Sequence, residues 1–432
     1  MTETKKGNWW ALLPIAVFLV VYVTAGVVFD NFYSLSIVVA FLVAMLVACL
    51  QNRSLKFDEK LGVMAKGIAD KNIATMILIF LCAGIFAGIL GKDGASAVAD
   101  LFLSFVPAKF SALVLFVVAC FVSTALGTSC GTITVMSPIA VALASATGVD
   151  LALCVGSVIG GAMFGDNLSF ISDTTIAATS TQGCKMKDKF KENFFIALPA
   201  ALATAIILIV FALNGDATNS YTPDSINLWL LLPYVLVLVG GIVGINVFVV
   251  LLGGIATALI VQLALGTKMV NLVASMGAGA SGMFEVILVT LLVSMLSALM
   301  KSFGGFDALL SGIKRVFRGK VGGQLGIALL VAAMDVATAN NTVAIVMAAP
   351  IAKNISQDYG VTNTKTASLL DIFGSVVQGI LPYGAQMITA VTLTKLSVGE
   401  ILPFVFYPYL LAVSAIVFIL VPTRNKNKTI ST

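Results

Sequence analysis

The stretch Phe164–Thr175, which reads FGDNLSFISDTT, decides how the chain is organised. It places two aspartates, Asp166 and Asp173, among hydroxyl and amide side chains in a segment that is otherwise apolar. A charged side chain at the centre of a bilayer costs about 2.5–3.5 kcal/mol on insertion scales, so it seldom persists there without a purpose. The backbone can leave the helix at that depth only where it is buried in protein or lines a cavity. The stretch therefore predicts a broken membrane span at a functional cavity.

The composition around this stretch is that of a membrane protein. Of the 432 residues, 59% are hydrophobic and 10% are charged, whereas soluble domains have about 25% charged residues. A bilayer span needs about 20 apolar residues, and the chain has many charge-free runs of about that length or longer. These runs are Ala11–Phe29, Asn31–Leu50, Asn72–Gly91, Phe110–Val149, Asn193–Gly215, Ser225–Thr267 and Ile401–Pro422. The composition excludes a water-soluble enzyme and predicts an all-α polytopic membrane protein in the lipid bilayer.

The basic residues are distributed unevenly between the predicted loops. When ten crossings and two re-entrant hairpins are placed on the apolar runs, 21 of the 25 Lys and Arg residues fall on one side. The other side keeps only Lys92, Lys109, Lys268 and Lys395. This bias predicts the inner (cytoplasmic) membrane, with both termini and the Lys185–Lys191 loop in the cytoplasm. It also accounts for the net charge of +5 without a nucleic acid partner.

The two halves of the chain resemble each other. NWWALLP at Asn8–Pro14 recurs as NLWLLLP at Asn227–Pro233. TVMSPIA, ending at Ala140, recurs as IVMAAPIA, ending at Ala352, and GSVIGG from Gly156 recurs as GSVVQG from Gly374. The offsets in the numbering are similar for the three matches, and insertions and deletions in loops explain their small differences. We interpret these matches as an internal repeat, a pattern typical of secondary transporters.

Each half is predicted to contain five spans, one of them broken, and a re-entrant helical hairpin. The first repeat covers residues 1–215, with a hairpin at about 110–147 and a broken span at about 150–180. The second covers residues 216–432, with a hairpin at about 322–356 and a broken span at about 363–394. Because five crossings is an odd number, the second copy is inverted in the membrane, as in alternating-access transporters.

The predicted hairpins have polar tips, each followed by a proline. Pro138 lies nine residues after Ser129, and Pro350 lies nine residues after Asn341. Small polar residues also pack between membrane helices, which is the better interpretation for Thr128 or Thr132 taken alone. Three adjacent polar residues in the second tip favour a substrate or second site instead. The candidates at the two tips are Thr128, Ser129, Thr132, Asn340, Asn341 and Thr342.

The second broken span has amides where the first has aspartates. Its interruption, Leu381–Gln386, reads LPYGAQ, so the predicted site is asymmetric. Further candidates for a substrate or second site are Asp335, Asp371, Gln378, Tyr383 and Gln386. These segments contain no Lys, Arg or His, so the predicted partners of the aspartates are sodium, a proton, or N–H and hydroxyl donors. Alternatively, Asp166 or Asp173 caps the half-helix that follows it.

The FGDNLSFISDTT stretch resembles the NhaC-type sodium/proton antiporter family, whose members carry a similar FGD…SPLSDTT pattern. The similarity extends to LLDIFGSVVQGILPYGAQ at Leu369–Gln386. The polar tips are similar to the paired tip motifs of the wider ion transporter superfamily. Phe170 departs from the pattern, which usually has proline there. The resemblance implies cation/proton exchange, although relatives of this family also move organic acids or amino acids.

Together these features predict a secondary transporter that exchanges sodium, or another monovalent cation, for protons by alternating access. Asp166 and Asp173 would alternately hold sodium and a proton, and the shell would be completed by Asn167, Ser172, Thr174 and Thr175. The alternative is a sodium- or proton-coupled carrier of an amino acid or small carboxylate. No enzyme activity and no cofactor are predicted, because histidine is absent and no nucleophile–base pair is recognisable. The sequence leaves a homodimer open.

Overall fold

A computed structural model describes residues 7–28, 35–69, 71–169, 172–215, 227–243, 245–316 and 318–421. The elements assigned in these ranges are helices. In the first half they are α1 (Leu13–Val28), α2 (Ile37–Leu50), α3 (Phe57–Ile68), α4 (Lys71–Phe105), α5 (Ser111–Leu126), α6 (Ser129–Thr147), α7 (Leu151–Leu168), α8 (Asp173–Gln182) and α9 (Met186–Asn214).

The second half contains eleven α-helices in its described part. They are α10 (Leu228–Ile242), α11 (Val247–Ala264), α12 (Met269–Gly282), α13 (Phe284–Ser302), α14 (Gly305–Val316), α15 (Gly319–Thr338), α16 (Asn341–Tyr359), α17 (Asn363–Ile380), α18 (Ala385–Thr394), α19 (Val398–Ile401) and α20 (Phe406–Leu420). The first half carries one further interruption, a kink in α4 at Gly91, whose φ is +55°.

The protein is a multi-pass helical membrane protein. Seven helical segments of the described chain are long and apolar enough to cross a bilayer, or eight if α19 and α20, bent by 49°, form one span. Two of the seven consist of α7 with α8 and of α17 with α18. The sequence predicts ten crossings, which include the shorter apolar helices α1, α2, α10 and α11. The apolar part of each of these four helices, within the described residues, is shorter than the roughly 20 residues of a span. The number of spans observed is therefore seven or eight.

Several helices of the first half have a helix in the second half that begins at one shared offset in the numbering, which we call the repeat offset. It is the step from Ser129, where α6 begins, to Asn341, where α16 begins. The same step separates the starts of α7 and α17, and those of α8 and α18. The TVMSPIA match follows the repeat offset. The GSVIGG match has a slightly larger offset and does not follow the register of these helices.

Helices of one half pack against helices of the other in reciprocal pairs. α8 contacts α16, and α18, which begins at the repeat offset from α8, contacts α6. In the same way α3 contacts α13, and α12 contacts α4. The half-helices that follow the two breaks therefore lie against the second arm of the opposite hairpin.

The polar tips predicted from the sequence are helix caps. Thr128 is the N-cap of α6, and its Oγ1 accepts a hydrogen bond from the Gly131 N–H at 3.3 Å. Asn340 is the N-cap of α16, and its Oδ1 accepts from the Val343 N–H at 3.1 Å. Such side chains satisfy N–H groups that have no partner within the helix. The residue before each cap is left-handed, with φ of +67° at Gly127 and +48° at Ala339. Each hairpin thus turns within two residues.

Glycines bring the first hairpin into direct contact with the first broken span. A Cβ on Gly161 would lie 2.3 Å from the Phe116 carbonyl oxygen, and one on Gly165 would lie 2.4 Å from the Ser123 Cβ. α5 and α7 therefore touch almost backbone to backbone, as small residues permit in membrane helix pairs. This close approach holds the α5–α6 tip beside the C-terminal end of α7.

Candidate functional site

A cavity of about 370 Å³ lies where the two hairpin tips meet the two broken helices. The N-terminal ends of α6, α8, α16 and α18 all reach it. Helix N-termini carry partial positive charge, which stabilises negatively charged groups. Of the residues predicted from the sequence, the cavity is lined by Thr128, Ser129, Asp166, Ser172, Asp173, Thr174, Asn340, Asn341, Thr342, Gln378 and Gln386.

Asp166 provides the buried carboxylate of this cavity. It lies near the end of α7 and is only 4% exposed. Its Oδ2 accepts a hydrogen bond from Ser129 Oγ at 2.9 Å, and its Oδ1 accepts from Ser172 Oγ at 2.5 Å. Within the described chain, no basic side chain lies within ion-pair distance of it. The first hairpin tip and the start of α8 therefore contact the same carboxylate through hydroxyls.

The polar side chains at the start of α8 differ in their exposure. Ser172 and Thr174 are buried, and their hydroxyl oxygens lie 2.8 Å apart. Asp173, the first residue of α8, lines the cavity but is exposed. Phe170 and Ile171, between α7 and α8, lie outside the described residues. The two aspartates predicted as one pair thus occupy different environments of the same cavity, one buried and one open.

A chain of hydrogen bonds joins the second half to Asp166. Gln386 Nε2 donates to Ser129 Oγ at 3.0 Å, and Gln378 Nε2 donates to Gln386 Oε1 at 2.6 Å. Gln378 Nε2 also lies 3.3 Å from the carbonyl oxygen of Ala339 in the second tip. Ser129 donates to Asp166 and accepts from Gln386, so it links the two halves. Gln378 lies at the repeat offset from Asp166, so an amide stands at that offset from the carboxylate.

The second tip presents an amide donor that has no partner among the described residues. Asn341 is 7% exposed and lines the cavity. Its Oδ1 accepts from the Thr342 N–H at 3.0 Å, whereas its Nδ2 has no hydrogen-bond partner there. Buried polar groups normally find partners, so this unsatisfied donor makes the second tip a candidate binding position.

Several predicted residues are buried outside the cavity lining. Asn167 Nδ2 donates to the Tyr407 hydroxyl at 3.3 Å, and Thr132 Oγ1 donates to the Thr128 carbonyl at 2.8 Å. Thr175 Oγ1 accepts a hydrogen bond from Lys189 Nζ at 2.7 Å. These side chains support the cavity wall, and neither Asn167 nor Thr175 presents an oxygen to the cavity.

Three further candidates of the second half also lie away from the cavity. Asp335 on α15 is fully buried, and neither carboxylate oxygen has a hydrogen-bond partner among the described residues. The Tyr383 hydroxyl donates to the Val336 carbonyl at 2.6 Å, and its ring packs against Phe18. Asp371 on α17 is fully buried and does not line the cavity.

The sequence predicts that no basic residue pairs with an acid of these segments. For Asp371 this prediction is wrong. Lys189, assigned from the sequence to a cytoplasmic loop, is 1% exposed, and its Nζ lies 2.5 Å from Asp371 Oδ2. Lys189 is the fourth residue of α9, and it faces α17 while its neighbours Lys187 and Lys191 are exposed. The basic character of the Lys185–Lys191 segment hides this inward position in the sequence.

Comparisons with known proteins relate the whole chain to one family. Residues 4–213 and 225–422 match the sequence profile of the Na+/H+ antiporter family. The chain is 24% identical to the Na(+)/H(+) antiporter NhaC of Bacillus subtilis over 80% of its length and 84% of that relative. It is 22% identical to the protein of the same name from Alkalihalophilus pseudofirmus, over 96% of both chains.

A third relative carries a different name. The Malate-2H(+)/Na(+)-lactate antiporter of Bacillus subtilis is 26% identical to the chain over 243 residues. The match covers 53% of this chain and about half (51%) of that relative.

Proposed function

The chain belongs to the Na+/H+ antiporter family, and we propose that it exchanges sodium, or another monovalent cation, for protons at the cavity around Asp166. The observation that carries this proposal is the buried Asp166 carboxylate, whose contacts are the hydroxyls of Ser129 and Ser172. An ionised carboxylate away from water needs a compensating charge. A sodium ion and a proton can each supply it, and they compete for it. Competition at one carboxylate gives exchange without covalent chemistry.

The oxygen atoms around Asp166 suit a hard cation. Sodium is the transported substrate, and hard cations take oxygen ligands from carboxylates, hydroxyls and carbonyls. Ser129, Ser172 and Thr174 supply hydroxyls within a short hydrogen-bonded chain. We assign the inner shell to these residues and Asp166. Asp173 contributes negative charge at the open part of the cavity, where it attracts a cation before it reaches Asp166.

Sodium and proton fluxes in proteoliposomes test this function. With an inward sodium gradient, and with no organic solute present, the purified protein should alkalinise the vesicle lumen as protons leave. Choline in place of sodium should give no change. A lumen pH that stays constant until an amino acid or carboxylate is added would contradict sodium/proton exchange.

We further propose that the second half is an inverted copy of the first and that the two halves alternate access to the cavity. The constant repeat offset and the reciprocal packing of α8 on α16 and α18 on α6 support this arrangement. Inverted repeats that meet at a midplane site are the common basis of alternating access. α9, the last helix of the first half, is about 43 Å long at 1.5 Å per residue, which is enough to cross the bilayer.

Cysteine labelling at Asp188 and Glu400 tests the inversion. These exposed residues, near the start of α9 and in α19, are related by the repeat offset, so they are equivalent in the two halves. In a protein whose native cysteines are replaced, Asp188→Cys should react with a membrane-impermeant thiol reagent from the cytoplasmic side. Glu400→Cys should react from the opposite side. Labelling of both from one side would contradict the inversion.

Coupled transport of a small carboxylate is the second candidate function. Three features favour it: Asn341 Nδ2 has no partner among the described residues, four helix N-termini reach the cavity, and the cavity is larger than a sodium ion. The name of the malate/lactate relative points in the same direction. For this candidate the solute would bind at the second tip, and sodium or a proton at Asp166.

Asn341→Ala separates the two candidates. Loss of a hydrogen bond to a charged group costs about 1.5–3 kcal/mol, or roughly ten- to a hundredfold in affinity. For a cation/proton exchanger, the variant should lower sodium-dependent proton flux by less than about tenfold, because Asp166 and its hydroxyl partners are unchanged. For a carboxylate carrier, it should raise the KM for the solute by the full ten- to hundredfold. The measurement is flux against sodium and against solute concentration.

A further inference from the structure

A buried lysine lies behind the cavity, at the junction of both broken helices. Lys189 Nζ lies 2.5 Å from Asp371 Oδ2 on α17, 2.7 Å from Thr175 Oγ1 on α8 and 3.2 Å from the Asn167 carbonyl of α7. An ammonium group has three hydrogens to donate, and these three contacts account for all of them. Lys189 therefore connects α7 and α8, which lie on either side of the first break, to α17 of the second half of the protein.

Asn193 repeats two of these contacts one turn later on α9. Its Nδ2 donates to Asp371 Oδ2 at 2.7 Å and to the Asn167 carbonyl at 3.0 Å. Residues four apart on a helix share a face, so Lys189 and Asn193 act together. The Asn167 carbonyl belongs to the last turn of α7, where carbonyls lack helical partners and attract cations. The carbonyl of Asn167, the residue after Asp166, is thus held by two donors.

The buried charges around Lys189 balance except at Asp166. Asp371 is fully buried, and its negative charge is compensated by Lys189. Asp166 has hydroxyl partners only. Of the three buried charged groups Asp166, Asp371 and Lys189, only Asp166 therefore keeps an uncompensated charge; the exposed Asp173 adds its own charge at the open part of the cavity.

We propose that Lys189 is a positioning residue that neutralises Asp371, and that it thereby keeps Asp166 as the one buried carboxylate of this cluster that exchanges ions with the cavity. This inference rests on the proposed sodium/proton exchange. Without the lysine charge, Asp371 is a second buried carboxylate behind the first, and it competes for the same cation. Without Asp371, the lysine charge is unpaired and repels sodium from the site.

Removing the two charges, first one at a time and then together, tests the proposal. Lys189→Met keeps the aliphatic length and removes the charge, and Asp371→Asn removes the opposite charge while keeping an acceptor for Asn193. Each single variant should lower the kcat/KM for sodium at least a hundredfold. The double variant, which is neutral again, should recover to within about tenfold of the unmodified protein. Lys191→Met, an exposed position two residues along α9, is the matched control and should leave the flux unchanged.

The double variant distinguishes charge compensation from a purely structural role of the lysine hydrogen bonds. It lacks the lysine contacts to Asn167 and Thr175, so a purely structural clamp would stay broken in it. Thermal unfolding in detergent provides a second readout that does not depend on transport. Both single variants should unfold at lower temperature than the double variant, even if the unmodified protein shows no sodium/proton exchange and the proposed function fails. A double variant no better than Lys189→Met in flux and in stability would overturn the proposal.

Discussion

Asp166→Asn is expected to abolish sodium-dependent proton movement while the protein remains folded. Asparagine keeps the size of the side chain and an acceptor for Ser129 or Ser172, but it removes the charge that both ions neutralise. Removing one partner of a buried charge pair costs about 3–5 kcal/mol, which is more than about a hundredfold in affinity. Since a neutral amide does not titrate, the proton half of the cycle is lost as well. Fluxes of both ions in proteoliposomes measure this effect.

Asp173→Asn is the matched comparison for Asp166→Asn. Asp173 lines the same cavity, but its side chain is exposed, so water screens its charge and it has less influence on a bound ion. We expect its sodium KM to change by less than about tenfold. Size-exclusion elution and thermal unfolding of both variants should match those of the unmodified protein. Sodium flux in Asp166→Asn within tenfold of normal would remove this residue from the ion site.

The positions of the breaks follow from residue types that can be recognised in the sequence. Thr128 and Asn340 are good N-caps, and each follows a residue in the left-handed region, so a left-handed residue and a polar cap together end one arm and begin the next. The hydroxyl and amide residues of these tips line the cavity because the helices begin there. Local capping chemistry therefore predicts where each polar cluster lies along the chain. The exposure of Asp173 could not be predicted in this way, since it depends on packing between halves.

Lys189 shows what the sequence hides and what signal it nevertheless contains. Lysines at positions 185, 187, 189 and 191 read as one cytoplasmic loop, because charge alone does not distinguish the faces of a helix. Helical periodicity does distinguish them. Lys189 and Asn193 lie four residues apart, and Ala197 and Ala200 continue the same stripe, all of them buried. Lys187 and Lys191 fall off this stripe and are exposed. A lysine that begins an apolar stripe is therefore a candidate for burial.

Gly161→Val is expected to prevent the first hairpin from packing on α7. The new Cβ would lie 2.3 Å from the Phe116 carbonyl oxygen, closer than any real contact, so α5 must move away from α7. Overpacking of a tight interface costs about 1–3 kcal/mol or more. Moving α5 also carries the tip away from the break, and with it the Ser129 hydrogen bond to Asp166. We expect little folded protein in detergent, and sodium-dependent flux reduced at least a hundredfold in whatever folds.

Gly277→Val on α12 separates this clash from the general effect of valine in a helix. The substitution is the same, but a Cβ on Gly277 meets no atom within 4 Å, and the residue is exposed. Its unfolding temperature should stay close to that of the unmodified protein. The obstacle at Gly161 is a backbone oxygen, so trimming the Phe116 side chain should not rescue the variant. Rescue by Phe116→Ala, or equal unfolding temperatures for the two glycine variants, would show that backbone contact between α5 and α7 does not hold the tip beside Asp166.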